Sequence, residues 1–528
     1  MRDTAASWGH VPITLVVLVA PIVLYLARLW FQWWRSSRPI DSVPVASLEG
    51  MSPRDSWINH GEEVLKQGFK THGERPFQVL SGTTPILVLC NKYAEEISRL
   101  SSFSLSQYII PDLFAHYPGF EGIRFSFKRE NEKRLPEIIR LNLTRTLDSS
   151  IGELVDEANE STQDIFGERQ EWQSSKFKVD VLHLVARLSN RIFLGKRMCR
   201  HAKWLEVTES YATDAFLASQ ELRAMSPLTR PVQYLWTGSC TRLRNAYRDA
   251  KLHLTEEFDR RRLEAERVLS SGIKLRGKGD SIAWITESSK GISTTELVGA
   301  QLGLVVAAIQ TTAEATCVAL RHLCQHPQYV EPLRQEILGL LREHGWSRAS
   351  LHKMRLLDSF LKESQRFNRG CQGIVRMATQ DAVLSDGLHI RTGTRVMIAG
   401  RFWDPRVLGP NVDEFDAYRF LRKRCEISPG HADAWQHTSV SPEFMGFGLG
   451  EHACPGRFFA SNEMKIALST LLLKYDWSFE SGKADMQPTE KENVRFIGLE
   501  SKLMYRRRHQ QLDFEVKGSL ERLPDGGI

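Results

Sequence analysis

The run Phe447-Gly448-Leu449-Gly450-Glu451-His452-Ala453-Cys454-Pro455-Gly456-Arg457 constrains this chain more than any other stretch. Gly446, Gly448 and Gly450 alternate there, a spacing that interrupts helix and strand and lets the backbone approach something flat. The texture then changes. Phe458, Phe459, Met464, Ile466, Ala467, Leu468, Leu471 and Leu472 form an apolar face at helical spacing, which puts Cys454 at the mouth of a helix. Free amides and the helix dipole at such a mouth favour a thiolate, and a thiolate there is a metal ligand or a nucleophile. A dinucleotide loop fails on spacing, because Glu451 and Ala453 occupy the sixth positions of the two G-x-G-x-x-G registers. Zinc lacks a C-x-x-C near Cys454, and a lone buried cysteine is the bland alternative.

Phe447-x-x-Gly450-x-x-x-Cys454-x-Gly456 resembles the haem-binding loop of the cytochrome P450 family. The resemblance implies haem b with the Cys454 thiolate as proximal iron ligand, a donor that favours O–O cleavage. It also implies a mainly α fold with a small β portion, preceded by an N-terminal transmembrane helix. His452 stands where the family usually has an arginine, which changes the charge offered to one haem propionate. Arg376, on a β-like run ten residues after Arg366, resembles a propionate ligand, with His452 and Arg140 as further candidates.

Glu363 and Arg366 lie three apart on a helical stretch and so share a face. Taken alone the pair is an exposed ion pair worth a few tenths of a kcal/mol. Its place in the chain resembles the family's E-x-x-R, and the segment around Phe415 to Phe420 resembles the one that supplies a third member, Arg419. The implied role is a buried network pinning the layer that carries the cysteine loop. In Leu304-Val305-Val306-Ala307-Ala308-Ile309-Gln310-Thr311-Thr312-Ala313, two threonines interrupt an apolar helix. A helical threonine often bonds only to its own helix's backbone. The segment nevertheless resembles the family's oxygen-binding groove, which puts Thr311 on the threonine that helps deliver protons. Ala308 replaces the usual glycine and Gln310 the usual acid, so the implied proton path runs through water and hydroxyls.

Residues 11–31 are almost wholly apolar and match the roughly 20 residues that span a bilayer. Trp30, Phe31, Trp33 and Trp34 suit an interfacial belt, and Arg28, Arg35 and Arg38 place the bulk of the chain in the cytosol. The expected organisation is an anchor over 1–35, a Pro-containing linker over 36–60, a catalytic domain over 61–510 and a tail over 511–528. Helical periodicity covers 141–166, 179–193, 204–222, 242–269 and 294–322, and 77–80 with 85–89 reads as a hairpin. The 70 basic and 63 acidic residues are interspersed, which excludes a nucleic-acid patch, and Arg260 to Arg262 and Arg506 to Arg508 read as solvated ends. Eight scattered cysteines suit a reducing compartment.

The resemblance therefore implies a monooxygenase of the endoplasmic reticulum membrane, with its catalytic domain cytosolic. It implies O2 and NADPH–cytochrome P450 reductase as partners and a bulky apolar substrate such as a fungal terpenoid. A haem-thiolate sensor without turnover is the rival class, and a zinc-binding protein is a distant third. Tyr108, Gln220 and Gln372 are the polar anchors expected in otherwise apolar pocket walls.

Overall fold

The computed structural model describes residues 38–509 apart from 82–83, 129, 227, 271–278, 290, 369–372, 401, 427–432, 481–487 and 493, together with Leu24, Ala27, Arg28 and Phe31. The anchor over 1–35, save those four residues, the tail over 511–528 and Gln372 therefore lie outside the described residues.

Helices dominate, and those that frame the site are α1 (Pro53–His72), α2 (Glu121–Ser126), α3 (Asn131–Phe166), α4 (Phe177–Phe193), α5 (Ala202–Ala224), α6 (Gly238–Ser270), α7 (Thr294–Gln325), α8 (Arg355–Asn368) and α9 (Arg457–Lys474). Each expected helix forms, and apart from α3 none is extended by more than four residues at an end. The main difference is α3, which starts ten residues before its expected bound: Leu135, Ile138 and Ile139 carry an apolar face back through the charged, Pro136-containing first turns to the core.

Helix α7 is the axis of the domain. Ser293 and Glu296 close a capping box at its start, and α2, α4, α5, α6, α8 and α9 pack around it. Its mean hydropathy of 1.5 and its length would suffice to cross a membrane, but its burial makes it a core helix. The short helix α2 comes close enough to touch α7 backbone because both carry glycine. A Cβ on Gly303 would lie 2.2 Å from Ser126 Oγ and 3.0 Å from the Gly122 carbonyl oxygen.

Strands β1 (Phe77–Leu80), β2 (Pro85–Leu89), β3 (Phe103–Ser104), β5 (Gly373–Ala378) and β6 (Arg395–Ala399) make a sheet in the order β1-β2-β6-β5-β3. The hairpin pairs Phe77 with Val88, whereas β2 runs parallel to β6 with Leu87 opposite Val396. A second sheet joins β4 (Gln173–Ser175), β8 (Leu503–Arg507) and β7 (Tyr475–Ser478) in that order. The first sheet has its own core with Trp57, Phe77, Val88 and Ile398, separate from the large helical core.

The linker expected over 36–60 is not a free connector. The Ala46 amide donates to the Gln78 carbonyl and the Gln78 amide to the Pro44 carbonyl, at 2.9 and 2.8 Å, and Trp57 is fully buried on α1. The arginine runs are not merely solvated either. Arg260 and Arg261, joined by Arg197, converge on the buried Glu257 carboxylate, which is lowered to about 2; burial opposes these contacts and is outweighed. Arg506 pairs with Asp476 beside Arg334.

Candidate active site

The cysteine loop is closed by its own backbone. The Cys454 amide donates to the Phe447 carbonyl at 2.7 Å, while Gly448 and Gly450 sit at φ +76° and +67°, where a side chain is strained. A Cβ on Gly448 would press the His452 carbonyl oxygen at 3.0 Å. α9 begins three residues after the cysteine, as its periodicity predicts. Burial pushes the Cys454 thiol up, and the Gly456 amide, the Arg457 charge and the Arg457 amide pull it down. These donors at a helix mouth suit a thiolate held as a ligand.

Arg376 is the sharpest signal in the site. Strand β5 alternates buried and half-buried positions, and it turns Arg376 inward until 2% of it remains exposed. One guanidinium nitrogen donates to the Val375 carbonyl at 2.7 Å. Nε and Nη2 are buried and have no partner among the described residues. Burial lowers the group to about 10, and the nearby Glu132 only partly offsets this. Glu132 is occupied elsewhere, taking the Ser106 amide at 3.1 Å and the Ser106 and Ser104 hydroxyls at 2.8 and 3.1 Å. Burial and then the Arg376 charge hold His452 below its ordinary value. Half-orphaned, deeply buried arginine beside histidine is what a ligand bearing carboxylates requires, and haem propionates fit it. Arg140 lies on the exposed face of α3, and its charge reaches Arg457 rather than this pair.

On α7, Ala307 and Thr311 are exposed although most of the helix around them is buried, so one turn of the central helix stays accessible. The Thr311 hydroxyl donates to the Ala307 carbonyl at 2.8 Å, the local bond that its place on a helix predicts. Thr312 is buried. Gln310 points instead to α5, where its Nε2 donates to Thr213 Oγ1 at 3.3 Å. Further along α7, Glu314 pairs with buried Lys178 and accepts the Ile497 amide at 2.8 Å, which fixes the 496–498 turn against the helix.

Glu363, Arg366 and Arg419 come together as one network at 0, 0 and 5% side-chain exposure, not as a surface pair. Arg366 grips both carboxylate oxygens of Glu363 at 2.8 Å and also donates to the Phe402 and Val412 carbonyls at 3.0 and 2.7 Å. Arg419 Nε donates to Glu363 at 3.1 Å, and its other nitrogens hold the Leu408, Asn411 and Glu414 carbonyls. The network thus ties α8 to the loop ahead of the cysteine.

A second buried cluster beneath that loop has almost no signature in the sequence. The Asp358 carboxylate takes Lys465 Nζ at 2.7 Å and the His437 amide at 2.8 Å. His437 meets Ser461 Oγ at 3.0 Å and packs edge-on against the Phe447 ring, centroids 5.2 Å apart. Lys362 donates to the Gln436 and Ser439 carbonyls and lies 3.8 Å over the Phe444 ring. The one available signal is Asp358 and Lys362 at i, i+4 on the face that also carries Glu363. Of the expected polar anchors, Tyr108 is buried with the Arg395 guanidinium 3.9 Å over its ring, and Gln220 is exposed on α5.

The cytochrome P450 family model matches residues 57–505. Cytochrome P450 monooxygenase bsc2 of Alternaria brassicicola is 36% identical over 507 residues, covering 94% of this chain and 95% of that protein. Cytochrome P450 monooxygenase calE of Penicillium decumbens is 33% identical over 515 residues, covering 93% and 97%. The solved structure of retinoic acid bound cyanobacterial CYP120A1 superposes with a TM-score of 0.63 at 18% identity, over 88% of this chain and 100% of that one, a likeness of fold.

Proposed function

Because the chain belongs to the cytochrome P450 family, and is a haem-thiolate monooxygenase with a cysteine as axial ligand, we propose that it oxidises a bulky apolar terpenoid in fungal secondary metabolism. When bound, the haem supplies oxygen activation by electron push from the thiolate. Everything else falls to the chain. Cys454 gives the thiolate from a loop whose glycines admit the flat face of the ring system. Arg376 and His452 would hold the propionate edge, and Arg140, exposed on α3 with its charge reaching Arg457, is a further candidate. The observation that carries the haem reading is Arg376, a buried cation with two nitrogens unpartnered among the described residues, which the carboxylates of a bound ligand would satisfy.

Substrate lies along the exposed turn of α7 at Ala307 and Thr311, with the 496–498 turn, which Glu314 holds against the same helix, as a neighbouring wall. Val306 and Ala308, half-buried on the same helix, suit a ligand that is apolar and offers few hydrogen-bonding groups. Thr311 lends its hydroxyl to the passage of a proton into this space. Gln310 cannot ionise, so the proton comes through water. The Glu363, Arg366 and Arg419 network acts by position, holding α8 against the segment that leads into the cysteine loop. Electrons come from NADPH–cytochrome P450 reductase at the cytosolic face of the endoplasmic reticulum, to which residues 11–31 anchor the chain.

The test is incubation of the full chain and reductase in microsomes with a panel of polycyclic sesquiterpenes and diterpenes, reading NADPH consumption and mass gain of one oxygen. Oxidation of fatty acids or aromatic polyketides with every terpene untouched overturns the substrate class. A haem spectrum without NADPH consumption on any substrate leaves the sensor reading in its place.

A further inference from the structure

We infer that His437 is a positioning residue for the axial thiolate: clamped by α8 and α9 beneath the cysteine loop, it fixes Phe447, and through Phe447 the backbone bond that shapes the turn around the sulfur. This role concerns the thiolate alone and holds whatever the substrate.

His437 lies in a turn, and side chains from two helices hold that turn from both sides. From α8, Asp358 accepts the His437 amide at 2.8 Å, and Lys362 donates to the Gln436 and Ser439 carbonyls at 2.8 and 3.1 Å. From α9, Ser461 Oγ meets His437 Nδ1 at 3.0 Å. Lys465, one turn further along α9, reaches the same Asp358 at 2.7 Å, and Arg424 joins it at 3.4 Å. His437, Asp358, Lys362, Ser461 and Lys465 are each at most 5% exposed, so water does not loosen these bonds. Burial pushes His437 down to about 3, with Asp358 opposing and Lys362 and Lys465 adding to the fall. The imidazole is therefore a neutral ring fixed in place.

What the clamp holds is Phe447. The His437 ring packs edge-on against it, centroids 5.2 Å apart and planes at 68°. The Phe447 carbonyl in turn accepts the Cys454 amide at 2.7 Å. Beside Phe447, α8 reaches the loop once more, where Gln365 Nε2 donates to the Gly446 carbonyl at 3.2 Å. A turn with glycines at φ +76° and +67° has little stiffness of its own, so contacts from outside set its shape. That shape decides how the Gly456 and Arg457 amides face the Cys454 sulfur, and those amides together with the Arg457 charge are what favour the thiolate against burial. Donors aimed at a sulfur ligand stabilise its negative charge, which is larger in the reduced haem. A loop freed from His437 drifts from those donors and favours the ferric form.

The test uses the full chain, haem-free and haem-loaded, in His437→Leu, Ser461→Ala and Ile466→Val. Ile466 is buried in the helical core of α9 outside the cluster, so its variant opens a small cavity and reports lost stability alone. In the haem-free chain, His437→Leu and Ser461→Ala should quicken deuterium exchange at the Cys454 amide about tenfold, read on peptides covering 447–457, with the β1-β2 hairpin unchanged. With haem bound, the same two should raise the ferric-to-ferrous ratio at a fixed poise about tenfold, about 59 mV for one electron. Ile466→Val should leave that ratio within about twofold of wild type. A ratio within about twofold of wild type, or one moved toward the ferrous form, in both His437→Leu and Ser461→Ala overturns the assignment even if exchange quickens, since the clamp then serves stability alone. Unchanged exchange at Cys454 overturns it too, as does an equal shift of the ratio in Ile466→Val. If His437→Leu takes up no haem, Ser461→Ala decides on the same two readouts.

Discussion

Replacing Arg376 with methionine should move the haem-free and haem-loaded proteins in opposite directions. In the haem-free fold burial holds the guanidinium well below its ordinary value, at about 10. At about 1.4 kcal/mol for each tenfold change, that is about 3 kcal/mol against the charged form. Linkage gives the sign: from about 10 up to the ordinary guanidinium value the unfolded chain binds the proton that the fold releases, so stability rises with pH there and the full penalty applies below 10. Arg376→Met removes that penalty and loses the bond to the Val375 carbonyl, worth about 1 kcal/mol. The net gain for the haem-free protein is roughly 1–2 kcal/mol, read as a higher urea midpoint at unchanged slope. With haem bound the same change removes charge-assisted bonds of about 1.5–3 kcal/mol, so transfer of haem to excess apomyoglobin should quicken roughly ten- to hundredfold. If the variant loses stability without haem and releases haem at the wild-type rate, Arg376 is a structural cation and the propionate assignment fails.

Cys454→Ser should fold yet give no thiolate-type Soret band in the reduced carbonyl complex, since a serine hydroxyl stays protonated; an unchanged band removes Cys454 as the ligand. Arg366→Ala and Glu363→Ala each leave a charge stranded at 0% exposure and should cost about 3–5 kcal/mol in denaturant unfolding, whereas a loss under about 1 kcal/mol would fit a surface pair. Burial raises Glu463 to about 8, with the Ser189 hydroxyl pulling slightly the other way. The unfolded chain releases this proton near the ordinary 4.5 and the fold keeps it to about 8, so stability falls as pH rises between them. Glu463→Gln keeps an acceptor for Ser189 and should flatten that fall, seen by comparing urea midpoints at both ends of the window.

The site's chemistry is more legible in the sequence than its support. The cysteine loop announces itself because glycine spacing and a helix start are local patterns, and the loop and α9 fall where those patterns put them. Glu363 and Arg366 are legible as a pair but not as buried, because burial depends on Phe402, Val412 and Leu408, some 40 residues away in sequence. Lys362 shows the limit more plainly: a lysine on an amphipathic helix reads as solvated, yet here two carbonyls and an aromatic face enclose it. The first turns of α3 are hidden for another reason, since charges and Pro136 obscure the short apolar run of Leu135, Ile138 and Ile139 that reaches the core. Gln310 reads as a departure from a pattern, and only its contact with Thr213 shows where its side chain goes.

The parallel pairing of β2 with β6 also sets a schedule for biosynthesis. Leu87 finds its partner Val396 only after about 300 further residues have been made, about 15–60 s at ordinary ribosomal rates. During that interval the nascent hairpin displays Ile86-Leu87-Val88-Leu89 along an open edge, a segment that β6 later covers. The sheet that holds β1 and β2 therefore cannot be completed until β6 has been made. A message truncated before residue 395 would yield insoluble fragments, not a smaller stable body.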